Sequence, residues 1–124
     1  MLSVAIIDSN LNHINQFTKI FSTFGITDIV SAQDGAEGLR LIIDRKPDMA
    51  LVNVELPTMT GFSLAFSLSL EDDLEDIIMV AVIDVMAAAV REEALSIGFN
   101  DVIGYAHAAT EILNILGKYY AANT

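Results

Sequence analysis

A chain of 124 residues is about the length of one domain, so one core is expected over residues 1–124 and a second is not. Its formal charge of −11, with only six scattered Lys and Arg, argues against nucleic-acid binding, because phosphate backbones are held by clustered basic side chains; neutral or basic protein surfaces are the expected partners. The absence of cysteine excludes disulfides, thiolate nucleophiles and cysteine-ligated metals.

The chain opens on Met1 to Asp8, which has no basic start and too short an apolar stretch to read as a signal peptide. The longest apolar run, Ile77 to Ile83, has seven residues, whereas a membrane-crossing helix needs about 20. No membrane segment is expected, and a cytoplasmic location follows by default. Val4 to Ile7 is the first predicted strand, apolar on both faces as in a parallel sheet covered by helices on each side. Ile14, Phe17, Phe21 and Phe24 then fall at helical spacing, with Asn10 as the cap. A weak run, Ile29 to Val30, is strand two. Asp34-Gly35-Ala36-Glu37 resembles a capping box, and Ala36, Leu39, Ile42 and Ile43 keep one helix face apolar until Pro47 ends it.

Met49 to Val52 is strand three. In the next segment Phe62, Leu64, Phe66, Leu68 and Leu70 alternate with small residues as a strand would. A crossover between parallel strands nevertheless needs a helix at this point. As helix three, it places Leu64, Ala65 and Leu68 on the core and leaves Phe62, Phe66 and Leu70 as a second apolar stripe, either an interface or extra core. Five of the six residues from Glu71 to Asp76 are acidic; a solvated loop tip is favoured over a docking site for a basic partner.

Ile77 to Ile83 is strand four, and Gly98 suits the turn that ends helix four. Met86, Ala87, Ala88 and Val90 near its start would permit close packing against a partner; alternatively this is a solvated helix with Arg91, Glu92 and Glu93 outward. Val102 to Ile103 is strand five, and Ile112, Leu113, Leu116 and Tyr120 mark helix five. The fold class is α/β, in (βα)5 order.

Ligands in open parallel sheets gather at the carboxyl ends of the strands. Those ends carry Asp8 and Ser9, Asn53, Ile83 and Asp84, and Gly104 and Tyr105. Ala5-Ile6-Ile7-Asp8, Asp34-Gly35, Pro47 through Val52, Pro57, Gly61 and Gly98 stand together in an order and at intervals that resemble the receiver domain of bacterial two-component response regulators, from about Leu2 to Tyr119. The resemblance implies a doubly wound, flavodoxin-like five-stranded parallel sheet with strand order 2-1-3-4-5.

It also implies a phosphorylation site in which an acidic pair and an acceptor aspartate hold Mg²⁺, while a hydroxyl residue and a lysine contact the phosphoryl oxygens. Carried onto this chain, the acidic pair becomes Asp8 and Ser9, the acceptor Asn53, the hydroxyl residue Ile83 and the lysine Tyr105; the proline that usually follows is Ala106. An amide cannot form an acyl phosphate. A hard cation wants anionic oxygens, and Asp8 alone remains, so magnesium binding is expected to be weak or absent, with Asp8 the residual candidate ligand. Without the lysine, no fixed positive charge offsets developing phosphoryl charge.

Asp84 suggests either a phosphate mimic or an N-cap for helix four, and the cap is favoured. Tyr105 is either a switch acting through its hydroxyl or a filler of the space a lysine stem would take. His13 and His107 lack metal-ligand spacing and read as surface imidazoles. The expected function is a non-enzymatic, phosphorylation-independent receiver-like module of bacterial two-component or phosphorelay signalling. It would act through protein contacts, the face of helix four, strand five and helix five offering a route to a homodimer. It could stand alone or be the receiver piece of a larger regulator. The alternative is a small-molecule or nucleotide sensor using the vacated pocket, though the first strand-to-helix turn has no glycine to approach a phosphate. A working receiver would need Asp8 or Asp84 as acceptor and is disfavoured.

Overall fold

The continuously apolar runs form strands because both of their faces are covered. In the computed structural model, which describes residues 1–84 and 87–120, the strands are β1 (Ser3–Ile7), β2 (Asp28–Ala32), β3 (Met49–Asn53), β4 (Ile78–Ile83) and β5 (Asp101–Gly104). The helices between and after them are α1 (Leu11–Thr23), α2 (Gly35–Arg45), α3 (Gly61–Ser69), α4 (Ala88–Ile97) and α5 (Ala108–Tyr120), with a short 3₁₀ turn at Asp72–Leu74. All strand pairs are parallel and the order is β2-β1-β3-β4-β5. This is the fold class expected from the sequence.

Successive side chains of a strand point to opposite faces, and the core divides accordingly. Ala5, Ile7, Ala50 and Val52 pack with Ile42, Leu64 and Ala94 under α2, α3 and α4. Val4, Ile6, Met49 and Leu51 pack with Phe17, Phe21 and Ile112 under α1 and α5. The weak run of β2 is explained by its place at the sheet edge, where four of its five residues keep intermediate or greater exposure and only Ala32 is buried.

Caps set where the helices begin. The Asn10 side chain accepts the N–H of Asn12 at 2.8 Å, and Asp34 accepts that of Glu37 at 2.8 Å. Thr60 accepts that of Ser63 at 3.1 Å. Gly98 ends α4 with φ 134°, a conformation that penalises any side chain. Gly61 matters through contact rather than conformation. A Cβ there would lie 2.6 Å from the Asn53 carbonyl oxygen, so the start of α3 rests directly on the end of β3.

Several expectations need correction. Phe24 lies past the end of α1, where its N–H closes the helix, and it is exposed rather than part of the apolar face. Leu113 is exposed and Ile115 takes the core position, two residues on and so about 200° around the helix. Asp84 does not cap α4, because Ala87 stands at that position without a side-chain bond. Val90 is half-buried against the α2–α4 side of the core, while Met86 lies outside the described residues. The second stripe of α3 splits. Phe62 is half-buried, edge-on to Phe99 at 6.5 Å, whereas Phe66 and Leu70 are 59% and 69% exposed.

Candidate functional site

The parallel sheet brings the ends of β1, β3, β4 and β5 to one edge. Asp8, the residue after β1, is 1% exposed. An ionised carboxyl at that depth requires donors, and three converge on it. The Asn10 N–H donates to Oδ1 at 2.9 Å, the Tyr105 hydroxyl donates to Oδ2, and His13 Nδ1 lies 3.2 Å from Oδ2. A carboxylate only accepts, so an ionised Asp8 is matched by the His13 tautomer that carries its proton on Nδ1.

Asn53, at the end of β3, is also buried. Its Oδ1 accepts the Glu55 N–H at 2.9 Å, and its Nδ2 donates to the Tyr105 hydroxyl oxygen at 2.9 Å. The amide therefore has one orientation. Tyr105 reaches this place from beyond β5, with its ring stacked on His13 at 3.8 Å and tilted against Phe17 at 5.7 Å. Its hydroxyl joins the ends of β1 and β3 and satisfies both. Among the described residues no buried side-chain nitrogen or oxygen lacks a partner.

Burial holds the Tyr105 phenol well above its usual pKa, and the hydrogen bond to Asp8, the Asp8 charge and the Asp84 charge push the same way; the Asn53 bond opposes them. The hydroxyl is a permanent donor at neutral pH. The chain Asn53–Tyr105–Asp8–His13 is a closed polar network under an aromatic cover. Such a network, fully satisfied, makes the arrangement rigid.

Of the residues singled out from sequence, Asp8, Asn53 and Tyr105 are hydrogen-bonded together. Ile83 is buried at the end of β4, while Ser9 and Asp84 are exposed. His107 is exposed as expected. His13 is not the surface imidazole expected of it, since its side chain is 26% exposed and bound to Asp8. Its position carried a usable signal: it lies in the first turn of α1, directly after the β1 end, where a helix start faces the functional edge. Among the described residues no group of three or more His, Asp or Glu is arranged to hold a metal ion, and no helix is long and apolar enough to cross a membrane.

Residues 4–116 match the family described as Response regulator receiver domain. The chain belongs to that family. Among curated relatives, this receiver domain is 36% identical over 64 residues to protein-glutamate methylesterase/protein-glutamine glutaminase 3 of Geobacter sulfurreducens, covering 51% of the chain and 17% of the relative. It is 28% identical over 80 residues to the polar-differentiation response regulator DivK of Brucella anthropi, covering 64% of each. The matched stretch thus spans less than two thirds of either relative. The receiver domain of the Francisella response regulator 1452 superposes with a TM-score of 0.87 at 21% identity, covering 98% of both chains, a likeness of fold. The receiver domain therefore has its place in a two-component signalling context.

Proposed function

We propose that this receiver domain signals by binding other proteins and does not depend on phosphorylation, within a bacterial two-component-type pathway. The observation that carries the reading is the Tyr105 hydroxyl, which donates to Asp8 and accepts from Asn53. A phosphoryl acceptor must be a nucleophile, and an amide is not one. Both ends of the Asn53 amide are in addition committed, to Glu55 and Tyr105.

The donor set does not suit magnesium. A hard cation wants several anionic oxygens, whereas Asp8 is the one carboxylate in the network and its oxygens already accept from Asn10, Tyr105 and His13. The neutral Tyr105 phenol offers no charge to stabilise a transferring phosphoryl group. A ligand sensor would need the space that this phenol takes. The proposal holds equally for a free-standing chain and for a piece of a larger regulator, and the activity named for the Geobacter protein is no part of it.

Backbone NMR during addition of Mg²⁺ with beryllofluoride, and mass spectrometry after acetyl phosphate, test the proposal. No concerted shift and no hydroxylamine-labile phosphoryl adduct are expected. A saturating shift at the strand ends, or such an adduct, overturns it.

A further inference from the structure

Two clefts open along the same side of α3. Towards the strand ends, a cleft of about 570 Å³ is walled by Val54, Leu56, Pro57, Phe62 and Val90. Past the other end of α3, a cleft of about 250 Å³ is floored by Ala65, Leu68, Leu74, Ile77 and Met79 and closed by Gly98 and Asn100, beyond the end of α4. The edge contact between Phe62 and Phe99 lies between them. Phe66 on α3 and Leu70 at its C-cap, four residues apart, line neither cleft and stand 59% and 69% exposed on the outer side of the helix. Neighbouring large apolar side chains left in water are the mark of an interaction site rather than of a finished core.

Charge indicates what this face takes. Exposed Glu55 lines the first cleft, and exposed Glu71, Asp72 and Glu75 rim the second. Within the acidic run Asp73 is paired, with Lys46 at 2.8 Å; among the described residues no ion pair is formed by Glu71, Asp72 or Glu75. No Lys or Arg lines either cleft. A second copy of a chain with charge −11 would bring acid to acid, so self-association is disfavoured.

We infer that the exposed outer face of α3 docks a basic amphipathic helix, its apolar face on Phe66 and Leu70 and its Lys or Arg side chains against Glu71, Asp72 and Glu75, which rim the neighbouring cleft. The nine residues of α3 run about 14 Å, matching about two and a half turns of bound helix. The inference rests on the reading of the domain as an interaction module and supplies the chemistry of its partner. It also revises the expectation that the acidic run is only a solvated tip.

The full chain, isotope-labelled, is titrated with a synthetic amphipathic helix of Leu and Lys, beside a scrambled peptide of the same composition and a Leu and Glu counterpart. Saturable shifts confined to Phe62 through Glu75 and the neighbouring end of α4 are expected with the first peptide alone. The double variant Phe66→Ala, Leu70→Ala should weaken binding about tenfold; because both side chains are exposed, its thermal unfolding should stay cooperative. Glu71→Gln with Glu75→Gln should flatten the dependence of binding on salt. Equal binding of the scrambled or acidic peptide overturns the inference. So does saturation of another face, which leaves the interaction reading standing. Sedimentation showing a dimer that the double variant abolishes would assign the outer face of α3 to a second copy and overturn the basic-partner inference. Failure of the phosphorylation-independent reading would appear separately, in the response to beryllofluoride.

Discussion

A phenol hydroxyl has one proton to donate and lone pairs to accept, and Tyr105 uses both kinds on buried partners. Tyr105→Phe keeps the ring on His13 and Phe17 but removes the donor to Asp8 and the acceptor for Asn53 Nδ2. Unfolding in urea should therefore show a loss of about 1–3 kcal/mol, more than an exposed tyrosine would cost. The same hydroxyl sets a dependence on pH. The folded pKa of Tyr105 is raised, and burial, helped by the Asp48 charge, pushes Tyr120 up to about 12. Both groups bind their protons more tightly folded than unfolded, so their contribution is complete below about pH 10 and is lost at higher pH. Stability measured by denaturant at a series of pH values should fall from about pH 10 upward, and Tyr105→Phe should fall less steeply than the parent chain. A parallel decline in the two proteins would mean that Tyr105 does not carry the effect.

At the scale of elements, α3 shows how position overrides pattern. Its alternating large and small residues match a strand, yet a helix is what connects β3 to β4, because parallel neighbours need a crossover. The same helix anchors the site. Gly61 lets its first turn sit against the Asn53 carbonyl, where a Cβ would come within 2.6 Å of a backbone oxygen that cannot swing aside. Gly61→Ala should thus cost about 1–3 kcal/mol and shift the side-chain amide signals of Asn53; an unchanged Asn53 environment would show that α3 does not hold the end of β3. Asp84 is the opposite case. A short acid before a helix suggests a cap, but α4 begins at Ala88, four residues on, so the Asp84 carboxylate stays exposed and acts on Tyr105 through charge.

For the whole molecule, the dominant electrostatic fact is the charge of −11 on 124 residues. Exposed pairs such as Lys46–Asp73 and Lys118–Asp101 contribute little, so screening of self-repulsion should outweigh their loss. Raising NaCl from about 0.05 to about 0.5 M should raise the midpoint of thermal unfolding by a few degrees; a lowered midpoint would show that the ion pairs dominate. The sequence by itself determined the order of strands and helices, the fold class and the family resemblance, because burial on both faces of a strand and on one face of a helix is written in local periodicity. It also named Asp8, Asn53 and Tyr105, since strand ends can be read from where apolar runs stop. Only the tertiary structure decided that these three join. Tyr105 is 97 residues from Asp8 and 52 from Asn53, and no local pattern encodes a hydrogen bond across that distance. The recruitment of His13, and the division of the α3 stripe into half-buried Phe62 and exposed Phe66 and Leu70, have the same cause: each depends on which neighbour the fold sets beside a side chain, which becomes a physical fact once the layers have packed.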